Sequence, residues 1–311
     1  MRYSQSWNGV TPKFPCQICG KGDWCSVSND NESRICRRVD DGSGHHRVDK
    51  SGGEYWLYRN GTIFPALKSL PTPRSASPEV AGIDTLDSAY SSLLARLTLE
   101  PNHFENLRKR GLSSKEIHFR GYKSLPSNRI EVAHNLVTEF GEESCSKIPG
   151  FYFTKVRDQK IWSLAGGTGI LIPCREIHGK IFALKIRTDS SESGSRYHYF
   201  SSRKHNGPGA ICKVHVPKHT GTSSILIRIT EGELKADIAT ALTQVLTLSI
   251  PGVSMWRSVV PVLRELNAQT VRIAFDSDAD TNPIVARALT QTKTALLTEG
   301  FQVEVETWKN N

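Results

Sequence analysis

The chain has 311 residues, of which 38% are hydrophobic and 23% charged, a composition that predicts a globular, soluble protein and argues against a disordered one. No apolar run approaches the roughly 20 residues that a membrane-spanning helix needs, and the segment MRYSQSWNGVTPKFP lacks the apolar core of a signal peptide, so we expect a cytoplasmic protein with no membrane partner. The formal net charge of +9 favours a polyanionic partner, with nucleic acid first, over a merely basic soluble protein.

The N-terminal segment is rich in cysteine and predicts a zinc module. Four of the seven cysteines lie within its first 40 positions: Cys16, Cys19, Cys25 and Cys36. The C-x2-C-G motif is the tight turn of a zinc knuckle, and a structural zinc ion takes four ligands. Cys36 is the obvious third ligand and Cys25 the most economical fourth, although His45 or His46 can replace Cys25. We therefore expect structural Zn²⁺ within an N-terminal module at 1–61.

A stretch rich in Pro, Ser and Ala at 62–82 is predicted as a linker. From Asp84 the apolar residues recur at three- and four-residue spacing, which predicts a helix over 84–99. A second helical region covers 103–122. Within it, Gly111 is expected to end one helix and Ser113 or Ser114 to cap the next.

Strands are predicted from about residue 150. The segment GILIPCREIHGKIFALKIR, at 169–187, has two apolar runs joined by a short turn at Gly179, which predicts a β-hairpin. Loops and short strands are expected from 189 to 222. We assign 83–222 to one mixed α+β region.

The last part of the chain, 223–311, alternates strand and helix. The predicted strands and helices, in chain order, are 225–230, 233–244, 245–250, 257–267, 271–275, 283–298 and 301–307. This β-α-β-α-β-α-β order predicts a parallel sheet with helices on its faces. Ligands of such sheets collect at the carboxyl ends of the strands.

Acidic residues follow two of these predicted strands. Glu231 comes directly after the first strand, and Asp276, Asp278 and Asp280 come after the third. Carboxylates this close together cannot all ionise comfortably without a cation, and their oxygens suit Mg²⁺ or Mn²⁺. A solvated turn that caps the following helix is the alternative.

The pairing of Glu231-Gly232 with Asp276-Ser277-Asp278 resembles the TOPRIM domain, which bacterial primases, topoisomerases, OLD-type nucleases and recombination proteins share. Its hallmark is a Glu-Gly after the first strand and an Asp-x-Asp after the third. The resemblance implies that Glu231, Asp276 and Asp278 are catalytic and hold Mg²⁺ or Mn²⁺. Asp280 either binds a second ion or shapes the loop.

Upstream segments resemble bacterial DnaG-type primases. NLRKRGLSSKEIHFRGYKSLP is similar to the primase segment in which Arg-Gly-Leu-Ser links two short helices, and GILIPCREIHGKIFALKIR to the hairpin before the primase nucleotide-binding groove. RYHYFSS is similar to the stretch that follows this hairpin. The order of these segments, zinc module first and TOPRIM last, is also that of a primase. Divergent primase-like proteins of plasmids, phages and other mobile elements are candidates for closer relatives of the chain.

This resemblance implies a basic groove for nucleotides and DNA. Its candidate residues are Lys185, Arg187, Arg196, His198, Arg203 and Lys204. The family has a Lys at the position of His198, and Arg196 can supply the contact that this Lys makes. Alternation of these cations with aromatic residues favours single-strand binding by charge and stacking, and a solvated surface charge is the alternative for each cation.

The sequence thus predicts an α/β protein in which a TOPRIM-like parallel sheet with flanking helices follows a primase-like α+β subdomain and a zinc-ribbon module. The leading functional hypothesis is a nucleotidyltransferase that makes primers on single-stranded DNA from nucleoside triphosphates, with a replicative helicase as a further partner. The alternatives are a metal-dependent nuclease that uses the same carboxylates, and a non-catalytic DNA-binding replication module. Primases continue beyond the last strand into a further acidic motif, so the chain is either the front part of a longer protein or is completed by a partner.

Overall fold

The computed structural model describes residues 7–39, 42–49, 53–59, 78–157, 159–189, 196–219, 225–275 and 283–306. These residues form two compact units. The first comprises the described residues from 7 to 59 with 253–258 and 283–292, and the second comprises those of 78–252, 259–275 and 293–306. No helix in the described part of the chain combines the length and apolar character that crossing a bilayer requires.

The first unit contains an antiparallel sheet of short strands in the order β1-β2-β3-β5-β4. The strands are β1 Trp7–Gly9, β2 Ser26–Ser28, β3 Arg34–Cys36, β4 His45–Val48 and β5 Glu54–Tyr58. Three of the cysteines pack with Trp56 and Tyr58 in a small buried cluster, so the thiols belong to the core of this sheet. Arg257 donates to the buried carboxylate of Glu54 at 2.8 Å, and the guanidinium of Arg287 lies 5.0 Å from the Trp56 ring centroid.

The N-terminal half of the second unit surrounds an antiparallel sheet in the order β11-β10-β9-β6. Its helices are α1 Ile83–Ala95, α2 Pro101–Lys109, α3 Ser114–Arg120, α4 Arg129–Phe140 and α5 Glu142–Ser146. Its strands are β6 Lys123–Ser124, β7 Phe151–Val156, β8 Gln159–Leu164, β9 Gly169–Arg175, β10 Ile181–Thr188 and β11 Tyr197–Tyr199. β7 and β8 form a separate hairpin.

Both faces of the β9–β10 hairpin are covered, which explains why its sequence is apolar almost throughout. Leu171, Leu184 and Ile186 face a core that includes residues of α1 and α4. Ile170 and Ile172 face the opposite way, into a second core that includes residues of α2, α3 and the helix that follows Glu231. The hairpin is thus the central layer of this region, and the prediction of a hairpin at this place is confirmed.

The end of α2 and the start of α3 lie at the glycine and serine residues that the sequence predicts for them. Gly111 has a φ of +97° and comes after the end of α2. The Ser113 side chain accepts a hydrogen bond from the Glu116 backbone N–H at 3.1 Å, so Ser113 and not Ser114 caps α3. α4, α5 and the β7–β8 hairpin carry no individual prediction from the sequence.

The C-terminal part of the second unit contains a parallel sheet in the order β13-β12-β14-β15. Its strands are β12 Leu226–Glu231, β13 Thr247–Ile250, β14 Thr270–Ile273 and β15 Gln302–Val305. The helices between them in the chain are α6 Glu233–Thr243, α7 Val259–Glu265 and α8 Pro283–Thr298, and residues 283–292 of α8 belong to the first unit. Apolar residues of the three strands β12, β13 and β14 are buried: Ile227, Ile229, Leu248, Ile250, Val271 and Ile273. The prediction of a parallel sheet with flanking helices is confirmed.

Candidate functional site

Glu231 lies where the connections of the parallel sheet diverge. From β12 the chain continues through α6 to β13 on one side, whereas from β14 it continues through α8 to β15 on the other. β12 and β14 are hydrogen-bonded neighbours, so their carboxyl ends border the crevice in which ligands of open α/β sheets bind. Glu231 is the last residue of β12, and the chain turns after it through Gly232, which has a φ of +85°.

Hydrogen bonds hold the chain beyond β14 against the end of β12. The Ala274 backbone N–H donates to the Ile229 carbonyl at 2.9 Å, and the Thr230 hydroxyl donates to the Ala274 carbonyl at 2.7 Å. The ring of Phe275, the next residue, is buried. The two strand ends are therefore fixed to each other as far as the described chain extends.

The acidic segment itself lies outside the described residues. Asp276, Asp278 and Asp280 fall in the range 276–282, and their prediction as metal ligands stays a prediction. Asp276 is covalently joined to Phe275, so the acidic segment starts directly beyond the strand end that is bonded to β12. Glu231 is partly exposed and thus accessible to a ligand.

Lys185 and Arg187 share one face of β10, because alternate residues of a strand point to the same side. The register pairs Lys185 with Tyr199 and Arg187 with Tyr197 of β11. His198 pairs with Ile186 and therefore lies on the opposite face of the sheet from the two cations. The structure brings Lys185 and Arg187 together but does not bring His198 to the same face.

Arg187 is buried, and no described residue pairs with its charge. Its relative exposure is 7%, its Nε atom has no hydrogen-bond partner, and it makes no ion pair with any residue that the structure describes. A guanidinium stays protonated in proteins, and a buried charge is costly unless it is paired. Arg187 is therefore suited to bind an anion.

Lys185 has a countercharge. Its Nζ atom lies 2.5 Å from Oε2 of Glu233, the first residue of α6, and the relative exposures of the two side chains are 14% and 3%. The Tyr199 hydroxyl donates to the other oxygen of Glu233 at 3.0 Å. Burial and the charge of Glu233 raise the pKa of this hydroxyl, so it remains a donor.

The other predicted groove residues lie on exposed segments. Arg196 is exposed and its carbonyl accepts from the Thr188 backbone N–H at 2.8 Å. Arg203 and Lys204 are exposed in a short 3₁₀ helix, Arg203–His205. The His205 ring in the same helix stacks on Tyr152 with a centroid distance of 3.6 Å.

A buried polar network anchors α6. Asp237 accepts from Arg120 Nη1 at 2.9 Å and from the Tyr122 hydroxyl at 2.6 Å, and its carboxylate also lies 3.3 Å from Nε2 of His215. The Arg175 backbone N–H donates to Nδ1 of His215 at 3.0 Å, so the proton of the neutral ring is on Nε2 and points to Asp237. The network thus joins α3, α6 and the segment before β12.

The charge state of Asp237 follows from these contacts. Burial opposes its ionisation, but the hydrogen bond from His215 and the charge of Arg120 outweigh burial and lower the pKa of the carboxyl. Burial and the neighbouring Asp237 raise the pKa of the Tyr122 hydroxyl well above its ordinary value, so it stays a donor. Asp237 is therefore a buried carboxylate with its partners in place.

The four predicted cysteines form one cluster in which all Sγ atoms lie within 4.8 Å of one another. The Sγ–Sγ distances are 3.7 Å between Cys19 and Cys25 and 3.9 Å between Cys25 and Cys36. Tetrahedral zinc with bonds of about 2.3 Å requires sulfurs roughly 3.8 Å apart, so the cluster fits the ion. Hydrogen bonds with Cys25 and Cys36 lower the pKa of the Cys16 thiol far below its ordinary value.

The knuckle geometry supports the same cluster. The Gly20 backbone N–H donates to the Cys16 carbonyl and the Cys16 N–H to the Lys21 carbonyl, each at 2.8 Å. Gly20 has a φ of +68°, which glycine adopts readily. Cys25 is the fourth member of the cluster, whereas the alternatives His45 and His46 lie on β4 outside it.

Two groups of residues escaped the predictions from sequence. Glu233 and Tyr199 pair with Lys185, and Asp237 anchors the buried network. One signal was available for α6, because Glu233 and Asp237 are four residues apart and lie beside Leu234 and Ala236 on the helix face that packs inward. Charged residues on a buried helix face indicate partners, but the cationic partners, Lys185 and Arg120, are 48 and 117 residues away in sequence.

Comparison with solved structures shows the fold of primase catalytic cores. The Aquifex aeolicus primase structure with zinc-binding and RNA polymerase domains is 14% identical, with a TM-score of 0.56, and the match covers 74% of this chain and 57% of that chain. The E. coli primase catalytic core is 15% identical, with a TM-score of 0.51 and coverage of 74% and 72%. A DnaG primase catalytic domain bound to single-stranded DNA is 13% identical, with a TM-score of 0.51 and coverage of 72% and 71%.

Comparison of sequences indicates no function for the chain. Residues 219–311 match the family model of a domain of unknown function, DUF3854. No curated protein matches the chain. The chain thus has a mixed α/β fold like that of DnaG primase cores, with a cysteine cluster of zinc-ribbon type, and spans 57% of the length of the Aquifex aeolicus structure.

Proposed function

We propose that the chain is a primase-type nucleotidyltransferase that makes short primers on single-stranded DNA. The observation that carries the proposal is the position of Glu231 at the end of β12, beside β14, with Asp276 and Asp278 next in the chain after β14. Carboxylates at this edge of an open sheet fit a divalent cation and a phosphate substrate. The likeness to primase cores supports the fold on which the proposal depends.

In the proposed site Glu231, Asp276 and Asp278 hold Mg²⁺ or Mn²⁺, and Asp280 either contributes to a second ion or shapes the loop. When bound, the cation supplies positive charge to the attacking and leaving oxygens of an in-line displacement. In this reaction a 3′-oxygen forms a bond to the α-phosphorus of a nucleoside triphosphate, the bond to the bridging oxygen breaks, and pyrophosphate leaves.

The basic face of β10 is the proposed anion site. Arg187 is buried, has no countercharge among the described residues and binds phosphate in this proposal. The exposed Arg196, Arg203 and Lys204 contact the DNA strand in the same proposal. Lys185 belongs to the same face, but its charge is already balanced by Glu233. The structure of a primase domain bound to single-stranded DNA supports DNA as the template class.

In this proposal the protein consists of a zinc module, a linker and a two-part catalytic core. The Cys16, Cys19, Cys25 and Cys36 cluster holds structural Zn²⁺ in a module at 1–61, a linker covers 62–82, and the primase-like core divides into 83–222 and a TOPRIM domain at 223–311. A replicative helicase is the proposed further partner, and a plasmid, phage or other mobile element in a bacterial cytoplasm is the proposed setting.

Template-directed dinucleotide synthesis tests this function. The purified chain is incubated with single-stranded DNA, labelled nucleoside triphosphates and Mg²⁺ or Mn²⁺, with and without a candidate helicase. We expect a labelled dinucleotide that disappears when Asp276→Ala and Asp278→Ala are combined and when EDTA is added. Synthesis that survives the double variant would contradict the proposal, and release of labelled DNA ends without nucleotides would favour a nuclease. The exposed Glu304→Gln on β15 is the matched acidic control and should leave synthesis unchanged.

A further inference from the structure

Glu233 stands two residues after Glu231 and looks in sequence like one more carboxylate of the metal edge. Its contacts are instead with Lys185 of β10 and Tyr199 of β11. Both of its oxygens are taken, because Oε2 lies 2.5 Å from Lys185 Nζ and Oε1 accepts from the Tyr199 hydroxyl at 3.0 Å. The Lys185 ammonium also lies 4.8 Å from the centroid of the Tyr199 ring.

These three side chains join two sheets of the second unit. Lys185 and Tyr199 are cross-strand neighbours on β10 and β11, whereas Glu233 begins α6, and only Gly232 separates it from the end of β12. A carboxylate at the first position of a helix also interacts favourably with the helix dipole. The contact therefore connects the edge of the basic hairpin with the turn that carries Glu231.

The pair also determines which cation of this face is available. The Glu233 side chain is 3% exposed and that of Lys185 14%, so water screens their attraction weakly and the two charges cancel locally. Arg187, two residues along the same strand face, has no such partner among the described residues.

We propose that Glu233 is a positioning residue and not a metal ligand: it clamps the β10–β11 edge to the first turn of α6, neutralises Lys185 and leaves Arg187 as the anion-binding cation of this face. The clamp follows from the contacts alone. The assignment of Arg187 rests on the proposed function.

The clamp is tested by a double-mutant cycle in thermal unfolding of the full chain. Lys185→Met leaves Glu233 buried and unpaired, so we expect Tm to fall by about 5 °C or more. Adding Glu233→Gln removes the stranded charge and should return Tm to within about 2 °C of the wild type. Lys180→Met breaks the exposed pair with Asp84 near the turn of the same hairpin and should leave Tm unchanged. Additive losses in the double variant would overturn the clamp.

Binding of inorganic tripolyphosphate, followed by calorimetry, tests the role of each charge. Lys185→Met leaves an uncompensated negative charge near Arg187 and should weaken binding roughly five- to tenfold, whereas the double variant should bind within about threefold of the wild type. A double variant as weak as Lys185→Met would show that Lys185 itself binds phosphate and would overturn the assignment. If Arg187→Gln binds as well as the wild type, the anion site of the proposed function fails, while the unfolding cycle still decides the clamp.

Mn²⁺ binding, measured by electron paramagnetic resonance of the free ion, separates positioning from ligation. We expect Glu231→Gln to lose bound Mn²⁺ and Glu233→Gln to retain the same number of ions. A loss in Glu233→Gln equal to that in Glu231→Gln would make Glu233 a ligand and overturn the proposal. If the wild-type chain binds no Mn²⁺, the metal site of the proposed function fails, and the unfolding cycle remains the test of the clamp.

Discussion

At the residue scale, the buried charges of the second unit differ in how fully they are paired. Asp237 has Arg120, Tyr122 and His215 around it, and Glu233 has Lys185 and Tyr199. Such networks are stable only when every member is satisfied. Arg187 makes no ion pair with any described residue, and we explain a buried cation of this kind by function rather than by folding.

Loss of the Asp237 charge should destabilise the protein. Asp237→Asn leaves Arg120 buried with Glu116 and a backbone carbonyl as its remaining partners, and we expect a loss of about 3 kcal/mol in the free energy of unfolding at pH 7. Chemical denaturation checks this. Glu304→Gln, which breaks an exposed pair with Arg272, is the control and should cost less than about 1 kcal/mol.

The same variant has a defined pH dependence. The folded state lowers the pKa of Asp237, so its ionisation contributes stability that is present above the unfolded value of about 3.9 and is lost as the pH falls through the lower folded-state value. The stability difference between wild type and Asp237→Asn should therefore be constant from neutral pH down to about pH 4 and shrink below it. A difference that grows on acidification would contradict this charge assignment.

At the element scale, close approach of β9 and β10 sets the position of Arg187. Gly169 begins β9, and a Cβ atom built on it would lie 2.2 Å from the Arg187 carbonyl oxygen and 2.9 Å from the Thr188 Cα. Both contacts are to backbone atoms, so a side chain at this position forces the strands apart. Glycine is therefore required at Gly169, where the hairpin backbone places Arg187.

Gly169→Ala should lower Tm and weaken tripolyphosphate binding together, because the backbone of Arg187 must move. Gly179→Ala is the matched control, since Gly179 lies in the turn of the same hairpin, where an added methyl group would meet no atom within 4 Å and only the φ of +84° is unfavourable. We expect about 1 kcal/mol of destabilisation in the control and no change in anion affinity. Equal effects of the two substitutions on binding would contradict the account of Arg187.

We predict that the sheet of the first unit depends on a zinc ion held by its four cysteines. Its strands are three to five residues long and its small core includes cysteines, so little apolar burial remains without the ion. We expect about one zinc per chain by mass spectrometry, and its loss in Cys36→Ser together with rapid proteolysis within residues 7–59. The exposed thiol of Cys212 provides the control Cys212→Ser, which should keep the metal. Full protease resistance in metal-free protein would be the contrary result.

At the scale of the whole molecule, local patterns predicted the parallel sheet, the hairpin and the cysteine cluster. Each of the three is specified by residues close together in sequence. The spacing of apolar residues specifies the strands and helices of the sheet, Gly179 specifies the turn of the hairpin, and the C-x2-C-G motif specifies the cysteine cluster. The partners of Glu233 and Asp237 were not predictable, because they lie 22 to 117 residues away in sequence. That Lys185 has a countercharge was hidden for the same reason, since Glu233 is 48 residues away from it in sequence.

The central claim is nucleotidyl transfer directed by a single-stranded template, and incorporation on exchanged templates measures it most directly. With Mg²⁺ or Mn²⁺ present, the wild-type chain should incorporate labelled adenosine triphosphate on a thymine-only DNA strand and uridine triphosphate on an adenine-only strand, and Glu231→Gln should do neither. Incorporation that ignores the template base, or that is unchanged in Glu231→Gln, would contradict the claim.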